Sequence, residues 1–418
     1  MKKVILFFFL LLQNLAFGQV ATLDTVVLRI DPEIAVGGTS GKIYNEVTYI
    51  PLQNSKECVI GEISKLEVVD KFYIVFDRGL DQIVIFNQDG SYHAKCVNIP
   101  GLHKNSGMAN NFNFNIFGDL AINRLKQEIF VKTNLDRENL YVFNYEGSFK
   151  RKVPLEANSP ITRFWGFAFL DSTRCVYNLN SSSLQQRTSE AVNYMIYYSN
   201  NFLVEQKKEL AYDPKTIAKG GDVQVTFDGP FYQSGSGNKC IFTRSYDYNL
   251  YLIDGEGISQ VFKMLLPIDY SVPNDFLTNE EKYKAKRAEY LDVNRQKVYS
   301  ISDVYNFGDY LFFKLNNNSY GEKNIFLYNL KTGSLLNLPK VSPDESTFFL
   351  PTITSNSSIK ANDGNYIYST FSSLELFNAH QAIKDRNPQY SAQLKHYFSS
   401  QTHKSNPVIV RLKLQSNL

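Results

Sequence analysis

The sequence lacks any marked excess of one charge. Lys and Arg total 44 against 41 for Asp and Glu, so the formal net charge is +3. It becomes +1 (42 − 41) once Lys2 and Lys3 are lost with the leader described below. So neutral a chain gives no electrostatic reason to expect nucleic acid or an anionic membrane as the main partner.

Cysteine is scarce, with four residues in 418: Cys58, Cys96, Cys175 and Cys240. They share no CxxC or other metal-binding spacing, so no metal site is predicted from them. Cys175 and Cys240 lie in apolar, strand-like runs, where a free cysteine behaves as a small hydrophobic residue. We expect buried free thiols rather than disulfides.

The familiar catalytic motifs are also absent. The five His are scattered and form no HExxH, and there is no GxSxG elbow or EF-hand loop. Gly37–Lys42 resembles a phosphate-binding loop, but its spacing is too short and Ile43 stands where a Ser or Thr would hold magnesium. A flexible N-terminal turn is the better interpretation, and no cofactor is predicted.

Long apolar runs are missing beyond the first 17 residues. Lys2 and Lys3 precede an apolar stretch, and Ala16 and Gly18 are small residues suited to signal peptidase, which predicts a signal peptide over residues 1–18. The stretch is too short for a good membrane span, and no cysteine near the cleavage point would carry a lipid. The mature chain is therefore expected to be periplasmic or secreted, without a transmembrane segment or lipid anchor.

Aromatic residues, in contrast, are abundant: 31 Phe, 27 Tyr and one Trp make up 14% of the chain. They favour strands, and a strand closed by a turn recurs along the sequence. Its copies are Ile83–Gly90, Leu140–Gly147, Met195–Asn201, Leu250–Gly257, Ile325–Gly333 and Val408–Leu414. Equivalent residues are separated by 57, 54, 56, 75 and 82 positions, and the two long intervals each contain a helix-like insertion.

Further strand-like segments surround each copy, and most units have no helix between them. Strand–turn–strand units repeated six times indicate antiparallel sheets arranged radially. The sequence therefore predicts an all-β fold, a six-bladed β-propeller of four-stranded blades with two helical insertions on one face. Residues 19–418 would form a single domain, with the last blade closed by a strand at about residues 47–52.

Several segments resemble a known family of secreted six-bladed β-propellers, distantly like NHL-repeat propellers, from Bacteroidetes-type bacteria. They are Ile50–Leu52 followed by Ile60–Ile63, then Ile83–Gly90, and Asn406–Lys413. The resemblance covers essentially the whole mature chain and implies the fold and export, but no particular activity. The chain departs from many members in lacking a lipoprotein cysteine and in having Pro100–Gly107 in place of a Gly-Pro-rich stretch.

Connection lengths distinguish the two faces of such a ring. Strands one and two, and strands three and four, are joined by tight turns such as Asp89-Gly90 and Glu146-Gly147. The opposite face, called here the long-loop face, carries residues 98–115, 211–228, 268–297 and 374–407. These loops are either a recognition surface or tolerated insertions.

Two of the long connections are expected to be helical. Thr278–Glu281 reads as a capping box opening a helix that runs to about Gln296. Beyond Pro388, an apolar stripe with helical spacing is expected to pack on the blades rather than bind a partner. The stripe consists of Tyr390, Leu394, Tyr397 and Phe398.

Candidate binding residues lie where inner strands begin on the long-loop face. Arg163 and Trp165, at the start of blade three, would stack on and hydrogen-bond a sugar or peptide, although the Trp would equally serve as a core residue between blades. Asp228 and Tyr232 enter blade four in a similar way, and Arg78 lies in a loop of blade one. No catalytic or metal-binding residue is assigned.

These features support two hypotheses. The first is an exported, non-catalytic propeller that binds a glycan, peptide or protein partner on its long-loop face. The alternative is a hydrolase or lyase acting on a glycan or peptide, either without a metal or with one held in the central channel.

The leader gives the first testable prediction. Mass spectrometry of the mature protein should find Gln19, intact or cyclised, as its first residue, because Ala16 and Gly18 direct cleavage after residue 18. Recovery of an intact Met1 start from the soluble fraction would contradict this.

Overall fold

The strands of the protein form six sheets in a computed structural model. The structure describes residues 23–96, 117–155, 164–179, 193–202, 204–212, 230–233, 238–319, 324–354, 357–416 and 418. The predicted signal peptide lies outside the described residues, as do most of the connections at 98–115 and 211–228.

Three strands and one helical turn precede the first blade. They are β1 (Asp24–Arg29), β2 (Val36–Thr39), α1 (Ser40–Ile43) and β3 (Tyr44–Pro51). The residues of β2 and α1 include Gly37–Lys42, which sequence analysis interpreted as a flexible turn. That interpretation is wrong, because this segment pairs with a strand of the fifth blade, as described below.

The first three blades are four-stranded antiparallel sheets. Blade one comprises β4 (Lys65–Val69), β5 (Phe72–Asp77), β6 (Gln82–Asn87) and β7 (Tyr92–Cys96). Blade two comprises β8 (Phe117–Asn123), β9 (Glu128–Thr133), β10 (Asn139–Asn144) and β11 (Phe149–Pro154). Blade three comprises β12 (Phe164–Phe169), β13 (Arg174–Leu179), β14 (Asn193–Asn200) and β15 (Val204–Tyr212).

The last three blades recruit the N-terminal strands. Blade four comprises β16 (Phe231–Gln233), β17 (Cys240–Phe242), β18 (Asn249–Asp254) and β19 (Gly257–Leu265), with β1 added in parallel outside β19. Blade five comprises β20 (Ser300–Phe307), β21 (Tyr310–Asn316), β22 (Ile325–Asn329) and β23 (Leu335–Ser342), with β2 in parallel outside β23. Blade six comprises β24 (Ile359–Asn362), β25 (Ile367–Phe371) and β26 (Val408–Leu414), with β3 as its antiparallel outer strand.

Six apolar clusters, one between each pair of neighbouring blades, form the core. Phe130 of blade two meets Phe169 of blade three with ring centroids 4.6 Å apart. Tyr73 of blade one meets Tyr368 of blade six at 5.9 Å, so the last and first blades are also in contact. The predicted six-bladed propeller is therefore confirmed, with the first strand of each blade facing the central channel.

The predicted tight turns are present on one face. Gly90, Gly147 and Gly333 all have positive φ, which a residue with a side chain rarely adopts. At Gly147 a Cβ would also come within 2.6 Å of the Lys95 carbonyl oxygen on the neighbouring blade. Glycine is thus required at this turn by both conformation and packing.

The first helical insertion differs from its prediction. It contains two short helices, α2 (Glu280–Tyr283) and α3 (Arg287–Val293), instead of one helix from residue 278 to 296. Asn279 rather than Thr278 is the N-cap and accepts from the backbone N–H of Lys282 at 3.0 Å. The left-handed backbone of Ala285 (φ 56°) interrupts the helix, and the buried Arg287 side chain donates to the Phe276 carbonyl oxygen at 2.8 Å.

The second insertion is built from α4 (Ser373–Ala382) and α5 (Ala392–Ser400). Ser372 and Glu375 form a reciprocal capping box at the start of α4. Leu394 and Tyr397 are buried against strands of blades five and six, which confirms that the apolar stripe packs on the blades.

All four cysteines are free and buried, as expected from their apolar surroundings. Burial raises the pKa of the Cys96 and Cys175 thiols to about 12. At neutral pH these thiols are protonated and therefore weak nucleophiles.

The N-terminal pairings give the second prediction. Deleting residues 19–53 would remove β1, β2 and β3, leave blade six with three strands and expose the edges of β19, β23 and β26. We expect aggregation or a much lower melting temperature, measured by light scattering and circular dichroism.

Deleting only residues 19–34 is the matched control, because it removes β1 and leaves β2 and β3 in place. This variant should remain monomeric with a smaller loss of melting temperature. An unchanged melting temperature in the longer deletion would show that the outer strands contribute nothing to the ring.

Candidate ligand site at the channel mouth

Four innermost strands are irregular where they begin, at the end of the channel nearest the long-loop face. The register breaks between Phe117 and Asp119, Phe164 and Phe167, Ser302 and Tyr305, and Ile359 and Ala361. The residues left between these pairs include Gly118, Trp165, Asp303 and Lys360. Bulges reorient side chains and are common beside functional sites, so these four strand ends mark the channel mouth as a candidate site.

Blades one and two are joined at the mouth by a group of charged side chains. The Lys65 ammonium donates to the Leu120 carbonyl oxygen at 2.6 Å and to Asp119 Oδ1 at 3.3 Å. Glu67 lies 4.0 Å from Lys65 and accepts from Arg124 Nη2 at 3.2 Å. Because Asp119 is buried, Lys65 offsets the cost of removing its carboxylate from water.

Blades two and three are joined by Lys132 of β9. Its ammonium donates to the Phe164 carbonyl oxygen and lies 3.9 Å from the centroid of the Phe164 ring. Burial lowers the pKa of Lys132 to about 8, Asp119 opposes this shift and Arg137 adds to it. Lys132 therefore has far more neutral amine at pH 7 than an ordinary lysine.

Blades four, five and six meet at two tyrosines. Tyr232 is half-buried, and its ring packs edge-on against Tyr305 with centroids 5.8 Å apart. The Tyr305 hydroxyl donates to the Lys360 carbonyl oxygen at 2.6 Å. The Tyr232 ring thus packs between blade four and blade five, on the innermost strand of blade four.

The structure describes two of the five predicted site residues in full. Arg78 and Tyr232 belong to blades one and four, which stand on opposite sides of the six-bladed ring, so the structure does not bring them together. The half-buried Arg78 guanidinium lies 5.8 Å from the centroid of the Phe76 ring. Arg163 and Asp228 lie outside the described residues, and of Trp165 only the backbone position, in the β12 bulge, is described.

Sequence analysis missed Lys65, Asp119 and Lys132. Each is a charged residue in a mostly buried strand, as Lys132 is within Glu128–Thr133, which also contains the charged Glu128. A buried strand admits such a residue only where a partner compensates its charge, and the partners here come from other strands or the neighbouring blade.

Exposed apolar side chains are concentrated on the long-loop face. Those in its connections are Val59, Leu80, Leu135, Ile268, Val293 and Leu374. Leu265 ends β19 beside the same face, and a further group lies on the N-terminal segment. In the described part of the chain, Leu125 is the one large apolar residue exposed in the tight turns of the other face.

Neither a metal-binding cluster nor a membrane-spanning helix is found among the described residues. The described residues contain no group of three or more His, Cys, Asp or Glu side chains placed to hold a metal ion. No helix in this part of the chain is long and apolar enough to cross a membrane.

Six radial antiparallel sheets around a channel define a six-bladed β-propeller. Within this class, the chain belongs to the DUF4934 family, a domain of unknown function whose profile matches residues 40–413. No curated protein matches the sequence.

Two solved structures are similar to this chain to different degrees. A candidate exported protein from Bacteroides fragilis is similar to this chain with a TM-score of 0.66 at 13% identity, over 94% of this chain and 100% of that one. A DUF4221 family member from Bacteroides vulgatus aligns at 12% identity over 90% of this chain and 99% of that one, with a TM-score of 0.46. At these identities, the first comparison supports the fold alone.

The charged group at the mouth gives the third prediction. Lys65→Met should lower the free energy of unfolding by about 1–3 kcal/mol, because the buried Asp119 and the Leu120 carbonyl lose their donor. Urea denaturation measures the change. Lys331→Met is the control, because the ion pair of Lys331 with Asp309 is largely exposed. The midpoint of urea denaturation of this variant should equal that of the unaltered protein. Equal midpoints for both variants would contradict the assignment.

Proposed function

We propose that this protein is an exported, non-catalytic propeller that binds a partner on its long-loop face. The observation that carries the proposal is the distribution of exposed apolar side chains between the two faces. Ile268 and Val293 are 83% and 77% exposed in the first helical insertion, and Leu374 is exposed at the start of the second. A contiguous exposed apolar patch marks an interaction surface, and the proposal is that these side chains contribute to such a patch on the long-loop face.

The helical insertions would make this face rigid. Phe276, Tyr283 and Leu291 are buried together, so the first insertion has a small core of its own. The second is held to blades five and six by Leu394 and Tyr397. A preformed surface loses little conformational entropy on binding, which favours recognition of a glycan, a peptide or a protein.

The predicted site residues have definite roles in this proposal. Arg163 and Trp165 would hold the ligand by hydrogen bonding and stacking at the start of blade three, and Tyr232 would offer a second ring from blade four. Asp228 and Arg78 would contribute charged contacts at the rim of the mouth.

Export through the predicted signal peptide, to the periplasm or the medium, is part of the same proposal. It draws support from the sequence of residues 1–18 and from the similarity in fold to the candidate exported protein of Bacteroides fragilis. A distant resemblance to NHL-repeat propellers is likewise proposed, on the segments Ile50–Leu52, Ile60–Ile63, Ile83–Gly90 and Asn406–Lys413.

The fourth prediction compares the two faces. A thermal-shift screen of glycans and peptides would first identify a ligand. The affinity of this ligand is then measured for the Leu80→Glu and Leu125→Glu variants. Both residues are exposed leucines, but Leu80 lies on the long-loop face and Leu125 in a tight turn. Leu80→Glu should weaken binding, because the carboxylate must be desolvated at the interface, and Leu125→Glu should leave it unchanged.

Trp165→Ala tests the predicted anchor. We expect affinity to fall at least about thirtyfold while the melting temperature stays the same, because truncating an aromatic anchor costs about 2 kcal/mol or more. Normal binding with early melting would instead make Trp165 a core residue. Loss of binding in Leu125→Glu alone would show that the wrong face was chosen, and stoichiometric calcium or zinc in protein purified without chelator would favour the hydrolase or lyase.

A further inference from the structure

The strand β1 forms the outer edge of blade four, and in the described part of the chain it pairs on one side only, with β19. Just beyond its end, the Ile30 N–H donates to the Leu265 carbonyl oxygen at 3.0 Å. Backbone groups alternate in direction along a strand that pairs in parallel. The N–H and C=O groups of Thr25, Val27 and Arg29 therefore point away from β19, along the outer edge of the sheet.

The outer edges of the other five blades carry features that discourage pairing with a further strand. In all five, the register with the neighbouring strand is broken. The edge strand of blade five, β2, is only four residues long. Charged residues and proline lie on two further edges: β11 contains Lys150, Arg151 and Pro154, and β15 contains Lys207 and Lys208. Short strands, irregular register, lysine and proline are the usual means by which proteins protect an open edge.

The edge of β1 differs from these five. Its register with β19 is unbroken over six residues, and its sequence contains no lysine, proline or glycine. Val26 and Leu28 pack towards the core between blades four and five, whereas Val27 at the centre of the strand is 51% exposed. A regular, apolar edge of this kind is a template on which another strand can pair.

The strand is complementary to a second copy of itself. Its charged residues stand at opposite ends, with Asp24 at the start and Arg29 at the end, and both are exposed. Antiparallel pairing brings the acidic end of each copy to the basic end of the other, whereas parallel pairing would place like charges together. A twofold axis at Val27 sets Val27 opposite Val27 of the second copy and Thr25 opposite Arg29. In this register each outward N–H meets an outward C=O.

We propose that this protein forms a symmetric dimer in which the β1 edges of two copies pair in antiparallel orientation. The five-stranded sheet of blade four then continues through the interface into blade four of the second copy. Such a contact uses the same patch on both copies, so it closes at two and does not propagate into a fibre. The interface lies at the outer rim of the ring, so this inference goes beyond the proposed ligand binding and does not depend on it.

The fifth prediction is a dimer whose population depends on protein concentration. One pair of edge strands is a small interface, so we expect a dissociation constant in the micromolar range or weaker, measured by sedimentation velocity from about 1 μM to about 500 μM. Hydrogen exchange followed by mass spectrometry gives a second readout. The amides of Thr25, Val27 and Arg29 should become protected as the concentration rises, because only these amides of β1 gain partners in the dimer.

Val27→Glu tests the contact at the twofold axis. Within one copy, the new carboxylate lies beside Lys263, the residue opposite Val27 on β19, so the melting temperature should not fall. In the dimer, two carboxylates stand opposite each other, so the dissociation constant should rise at least about tenfold. Val36→Glu is the matched control, because Val36 is 57% exposed and lies on β2, outside the interface. This variant should dimerise as the unaltered protein does.

Mixing two variants identifies the contact directly. Val27→Lys alone should also dissociate, because two ammonium groups meet at the axis. An equimolar mixture of the Val27→Glu and Val27→Lys variants should dimerise again, since a carboxylate then faces an ammonium across the interface. Recovery on mixing shows that both variants are folded. If Val27→Lys does not fold beside Lys263, the concentration series and Val27→Glu decide the matter.

A protein that stays monomeric throughout this concentration range would overturn the inference, as would a dimer that Val27→Glu and Val36→Glu weaken equally. Protection of the β1 amides that is independent of concentration would show that another segment of the same chain covers the edge, and it would reject the second copy as the occupant. Oligomers that grow beyond two with concentration would indicate head-to-tail contacts in place of the closed pair. None of these measurements needs a ligand, so their outcome is separate from that of the face comparison.

Discussion

The inner edge of each blade is the constraint on which the rest of this structure depends. The first strand of a blade pairs on one side only, so its remaining carbonyl groups face the channel and need donors. Side chains of neighbouring blades supply them: Lys65 to Leu120, Lys132 to Phe164, Gln233 to Phe169, and Tyr305 to Lys360. Three of these four contacts, those of Lys65, Lys132 and Tyr305, belong to the candidate site as well.

This sharing has a consequence for the chemistry of the mouth. A lysine needed as a donor between blades must sit where water is partly excluded, and exclusion of water lowers the pKa of its ammonium. The contact of Lys132 with Phe164 and the lowered pKa of its ammonium thus have one physical cause. The Lys65 ammonium reaches two acceptors of blade two at once, the Asp119 carboxylate and the Leu120 carbonyl oxygen.

The sequence predicted the ring because its strands follow local rules. Segments such as Ile83–Gly90 alternate apolar residues and end in a glycine turn, and this pattern requires no knowledge of distant partners. The parallel strand at Val36–Thr39 was missed because half its residues are glycine and it pairs about 300 positions away, with β23. The helix predicted to begin at Thr278 was wrong in its start and in its length. Asn279 is the N-cap, and the left-handed backbone of Ala285 interrupts the helix.

The candidate site was harder to predict than the fold. Local patterns were enough to place Arg78 in a loop and Tyr232 at a strand end. Their separation across the ring, however, depends on how the whole ring closes. The position of Lys132 over Phe164 depends on how two blades pack, and a strand pattern carries no such information. Only the presence of charged residues in these strands was visible beforehand, and a charge in a buried strand indicates that a partner exists without identifying it.

The N-terminal strands also determine when the protein can finish folding. Asp24 pairs with Gln260, and Tyr49 pairs with Val410, so the first strands to leave the ribosome or a translocation pore have partners hundreds of residues away. Such a high contact order makes folding slow, because the loop-closure entropy is lost before the contacts form. The early strands stay unpaired while the remaining blades emerge, so their edges are open to wrong pairing until the ring closes.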